Sequence, residues 1–97
     1  MKGGKLVNET ALKIHLYGIV QGVGMRHHVR RQAQHHGVRG YVKNLASGSV
    51  ECAAIGARPA VASFLSAVRE HPPGRIDRIE TTPLDTDEPF VRFEIRF

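Results

Sequence analysis

The chain of 97 residues contains no tryptophan, and aromatic residues make up only 6% of it. Side chains on which nucleic-acid bases stack are therefore scarce. Cysteine occurs once, as Cys52. An internal disulfide and a CxxC motif are both excluded, and a reducing compartment is the expected setting. Cys52 is expected to pack as a small apolar side chain and not to react. No apolar run approaches the ~20 residues that a membrane span needs. The opening "MKGGKLVNET" has no hydrophobic stretch of signal-peptide type. A cytoplasmic protein with no membrane partner is expected. Residues 1–10 read as a flexible N-terminal tail and residues 11–97 as one domain.

Acidic residues are also few: 9 Asp and Glu against 14 Lys and Arg, a net charge of +5. They gather late, in "LDTDEP", which reads as a turn and not as a catalytic carboxylate pair. The positive charge is concentrated in "RHHVRR" and "VRGYVK". That pattern fits either a nucleic-acid surface or a solvated helix face beside an anion site.

Alternation in "ALKIHLYG" sends Leu12, Ile14 and Leu16 one way and Lys13, His15 and Tyr17 the other, which predicts a half-buried strand. Met25, Val29 and Ala33 recur at helical spacing before Gly37, predicting a helix over Arg26–His36. "VRGYVKNL" and "SVECAAIG" read as two strands joined by a hairpin loop around "ASG", where Gly48 supplies positive φ. Val61, Phe64, Leu65 and Val68 mark a second helix with Pro59 in its first turn, stopped by "HPPG". "RIDRIETTPL" reads as a fourth strand. In "PFVRFEIRF" the residues Val91, Phe93, Ile95 and Phe97 alternate with polar ones, predicting a closing strand with one buried face. The order is β-α-β-β-α-β plus a terminal strand. It implies an α+β, ferredoxin-like (split βαβ) two-layer sandwich: an antiparallel sheet with two helices on one face.

"YGIVQGVGMRHHVR" places Gly18, Gly22 and Gly24 between the first strand and the first helix. The first N–H groups of a helix have no helical partner, and the helix dipole adds partial positive charge there. Glycines let several N–H groups turn inward as a nest, which favours an anion such as phosphate. Arg26 adds a planar fork of donors suited to bidentate phosphate binding. No Gly-Lys-Ser/Thr follows, and the third glycine of GxGxxG is missing, so neither nucleotide-loop pattern is met. On the glycines alone, a tight turn explains the stretch as well as an anion site does. Asn44 alone reads equally as the cap of a turn.

"YGIVQGVGMRHHV" resembles the signature loop of the acylphosphatases, and "GYVKNLASGSVE" is similar to that family's second signature. The resemblance covers Leu12 to Phe97, and "FLSAVREHPPGRIDRIE" resembles the family's second helix and the strand after it. It implies hydrolysis of the carboxyl–phosphate anhydride of small acyl phosphates to carboxylate and inorganic phosphate, without metal or cofactor. It places the phosphate-binding arginine on Arg26 and the water-orienting asparagine on Asn44. It places the backbone cradle on Gln21, Gly22, Val23, Gly24 and Met25. Inorganic phosphate or sulfate is expected at the same loop, and a monomer is expected. Met25 departs from the family's usual aromatic but is apolar and adaptable enough to fill the space under the loop.

Competing readings are weaker. No HxxxH pair exists: Arg31 and Gln32 follow His27 and His28 by four residues. His28 and His35 fall about 10 Å apart along a helix, too far for one metal. The histidines are expected to be ordinary and mostly exposed. "RGYV" resembles the start of an RNP1 segment. Val42 and Lys43 break that pattern, and it lies on the second strand where the third is required, so no nucleic-acid partner is expected. Lys43 and Arg39 either draw anions toward the site or sit on a solvated strand face. A similar domain also opens a large hydrogenase-maturation carbamoyltransferase. No CxxC zinc finger follows here, so a free-standing enzyme is expected.

Overall fold

The computed structural model describes residues 9–97. In chain order the elements are β1 (Glu9–Ile19), α1 (Met25–His36), β2 (Arg39–Asn44), β3 (Val50–Ala57), α2 (Arg58–Arg69), β4 (Arg75–Pro83) and β5 (Phe93–Arg96). The expected tail extended to residue 10. Residues 1–8 lie outside the described residues, whereas Glu9 and Thr10 already pair with Ala57 and Gly56 on β3.

The five strands form one sheet in the order β4-β1-β3-β2-β5. Four of these strands pair antiparallel, as expected, but β5 runs parallel to β2, with Gly40 opposite Phe93 and Lys43 opposite Arg96. The sheet is mixed, and the expectation of an all-antiparallel sheet is corrected. The cause is the route of the chain. β4 lies on one edge and finishes at the end of the sheet from which β2 starts. Residues 84–92 cross that end to the far edge, so β5 enters in the direction of β2. Four strand spacings of about 4.8 Å need roughly 19 Å, well within the reach of nine residues.

Both helices cover one face of the sheet. Ile14 and Leu16 from β1, Val29 and Ala33 from α1, Val61, Phe64 and Val68 from α2, and Phe93 from β5 meet in a single buried core. Helix α1 ends in a Schellman motif at Gly37: Val38 N–H donates to the Ala33 carbonyl at 2.8 Å and Gly37 N–H to that of Gln34. The predicted inward alternation of β5 holds at Phe93 and half-buried Ile95, but Val91 and Phe97 are exposed. They flank a strand of only four residues, so the pleat does not carry them against the core.

One histidine is not exposed as expected. His28 is buried, and its Nε2–H donates to the Val68 carbonyl at 3.0 Å. It follows Met25 by three residues and so shares the apolar face of α1. The carbonyl it meets is in the last turn of α2, where carbonyls have no helical partner.

Candidate active site

The β1–α1 connection spans residues 20–24, and its Gly22 and Gly24 have a different job from Gly18, which precedes it within β1. Gly18 sits at a bulge in the β1–β4 pairing, and a Cβ there would stand 2.3 Å from the Arg75 carbonyl oxygen. Gly18 is thus needed for close approach of β4. Gly22 (φ 74°) and Gly24 (φ 86°) have open space beside them and are needed for their left-handed backbone. Left-handed Gly24 also starts α1 with no side-chain cap. Among the described residues, the N–H groups of Gln21, Gly22, Val23 and Gly24 donate to no protein acceptor. The turn therefore presents free donors at the positive end of a twelve-residue helix.

Apolar side chains fix this turn from below. Val20 and Met25 are each 1% exposed and belong to the core, and Val23 packs against it. Met25 therefore fills the space beneath the loop.

Asn44 closes β2, opposite Val50. Its Oδ1 is buried and has no hydrogen-bond partner. Gln21 brings the two segments together. Its side-chain amide donates to the Leu45 carbonyl at 2.7 Å and to the Ser49 carbonyl at 2.8 Å, both in the β2–β3 loop. The residue after Asn44 is thus bonded directly to the first residue of the donor turn.

Arg26 occupies the first turn of α1. Its guanidinium donates to the Arg96 carbonyl at 3.3 Å and lies 4.8 Å from the centroid of the Phe97 ring. The end of β5 therefore orients this arginine. Gln21, Gly22, Val23, Gly24, Met25, Arg26 and Asn44 gather at one end of the sheet. Sequence reasoning missed the side-chain role of Gln21 and the docking of Arg26 on β5. Neither leaves a local pattern, because each bond joins residues far apart in the chain. Among the described residues, no three His, Cys, Asp or Glu side chains cluster as a metal site, and no helix is long and apolar enough to cross a membrane.

The acylphosphatase family model matches residues 12–95. The chain belongs to the acylphosphatase family. An acylphosphatase from Yersinia pseudotuberculosis serotype O:1b is 45% identical over 85 residues, which is 86% of this chain and 91% of that protein. The crystal structure of acylphosphatase from Bacillus subtilis matches with a TM-score of 0.83 at 35% identity, over 90% of this chain and 98% of that one. Full-length HypF, in a phosphate- and nucleotide-bound form, matches with a TM-score of 0.86 at 31% identity, over 98% of this chain but 13% of that one. The acylphosphatase signatures read in the sequence are those that form the donor turn and the Asn44 hairpin.

Proposed function

We propose that this acylphosphatase hydrolyses small acyl phosphates by in-line attack of water on phosphorus. The observation that carries the proposal is the pairing of a donor-rich turn with the Asn44 Oδ1, a buried acceptor with no protein partner. Such an atom costs about 1–3 kcal/mol if left unmet, so it suits a site that takes up water or ligand. The N–H groups of Gln21 to Met25 and the Arg26 guanidinium would hold the phosphate oxygens. Arg26 would leave its Arg96 carbonyl partner to do so, or share its donors with it.

The chemistry needs little more. The leaving carboxylate is already a good leaving group, so the reaction rests on positioning and on stabilising equatorial oxygen charge. Asn44 Oδ1 accepts a hydrogen bond from the attacking water and directs its lone pair at phosphorus. The phosphorus–oxygen bond to the acyl group breaks, and the electron pair leaves with the carboxylate. The water oxygen ends in phosphate, and its proton passes to solvent.

Turnover of acetyl phosphate in oxygen-18 water tests this directly. The label is expected in inorganic phosphate. Label in acetate would mean attack at the carbonyl and would overturn the mechanism.

A further inference from the structure

Helix α1 and strand β5 enclose a groove of about 450 Å³, with Arg26, Arg30, Gln34, Arg92, Ile95 and Phe97 on its walls. The donor turn does not need this space. At roughly 30 Å³ per water-sized volume, the groove has room for a group much larger than one phosphate. It is also strongly basic. Among the described residues, neither Arg30 nor Arg92 pairs with a carboxylate. The one acid on its walls, Glu94, accepts from Arg96 Nε at 2.9 Å. His27 lines the same wall.

Arg30 is the informative residue. Its Nε is buried and has no hydrogen-bond partner. A buried donor on a charged group is costly to leave unmet, more so than a neutral one. Arg30 follows Arg26 by four residues, so both project from one face of α1, about 6 Å apart along the axis. An anion held by Arg26 therefore has a second cationic fork one helical turn away, inside the same groove.

We infer that the α1–β5 groove binds the acyl part of the substrate, and that Arg30, assisted by Arg92, selects acyl phosphates whose acyl chain carries a second anionic group. This rests on the acyl phosphate reading of the donor turn. The monoacyl phosphate of a short dicarboxylic acid has the right form: one phosphate, a few carbons, and a terminal carboxylate.

The test compares kcat/KM for succinyl phosphate, which carries the terminal carboxylate, with that for butyryl phosphate, which does not. Wild type is expected to prefer succinyl phosphate by about tenfold, the scale of one charge-assisted hydrogen bond. Arg30→Gln is expected to remove most of that preference, through KM. Arg30→Lys, which keeps the charge, is expected to retain part of it. Arg31→Gln removes the same charge from an exposed position outside the groove and is expected to leave the preference intact. Thermal melts of each variant confirm folding. Equal kcat/KM values in wild type would overturn the inference while leaving acyl phosphate hydrolysis standing. So would a preference that Arg30→Gln and Arg31→Gln reduce alike, since net charge would then suffice. Failure to turn over either substrate would instead overturn the acyl phosphate reading itself.

Discussion

Replacing Gln21 with leucine separates two ways in which the donor turn could act. The substitution leaves a branched apolar side chain one bond shorter and removes both donors to the β2–β3 loop. Each carbonyl retains another partner: Leu45 accepts from Gly48 N–H at 3.1 Å, and Ser49 accepts from Leu45 N–H at 2.9 Å. Neither acceptor is orphaned, so the loss is that of two ordinary hydrogen bonds, about 1–3 kcal/mol in total and nearer the lower end. The global effect is therefore a modest fall in melting temperature. The effect on catalysis is expected to be larger, because Asn44 adjoins the released loop and a displacement near 1 Å can cost about 10²-fold in rate. The assay is steady-state hydrolysis of benzoyl phosphate beside a urea unfolding curve. Gln21→Leu is expected to lower kcat by about tenfold or more while KM changes little, since the backbone donors remain. Hydrogen exchange at residues 45–49 should quicken in step. A variant with wild-type kcat, or one whose whole loss lies in KM, would refute the idea that this contact positions Asn44.

Other consequences follow from the same geometry. Glu51, on the open face of the sheet, accepts from Tyr41 at 2.7 Å and His15 at 3.2 Å. Burial pushes its carboxyl up, but those two donors together with Lys43 and Lys13 prevail and hold it below its ordinary 4.5. The folded state therefore favours ionised Glu51; that stability is complete above pH 4.5 and fades as pH falls through the lowered value. Urea curves should show wild type more stable than Glu51→Gln at neutral pH, with the gap narrowing below pH 4.5. Gly24→Ala should cost only about 1–2 kcal/mol, for a left-handed backbone with open space. Gly18→Ala should cost clearly more, because its Cβ would stand 2.3 Å from the Arg75 carbonyl oxygen; equal costs in thermal melts would contradict the two roles given to these glycines. His28→Leu should lose about 1–3 kcal/mol by stranding the Val68 carbonyl, and an unchanged melting temperature would refute that.

The sequence made the helices, the hairpin and the site loop legible because each has a local signature. Met25, Val29 and Ala33 mark the buried face of α1, and the same spacing could have drawn in His28, whose ring shares that face. Strand direction has no such signature. Phe93 and Ile95 alternate identically in a parallel or an antiparallel pairing, so the placement of β5 beside β2 depends on where β4 finishes. The glycines were legible as a group but not individually: close approach at Gly18 and left-handed backbone at Gly24 look alike in one letter. The contacts that join the site, Gln21 to Leu45 and Arg26 to Arg96, span 24 and 70 residues and follow no periodicity.

The most direct test of the central claim is hydrolysis of benzoyl phosphate by the purified protein, with chelator present, beside Arg26→Ala and Asn44→Ala. Wild type should turn the substrate over rapidly. Each variant should lose at least about 10²–10³ in kcat while melting as a folded protein, by analogy with loss of one oxyanion donor. Arg26→Ala should also weaken binding, and Asn44→Ala should act mainly on kcat. An inert but folded wild type, or an Asn44→Ala enzyme that keeps its rate, would contradict the account.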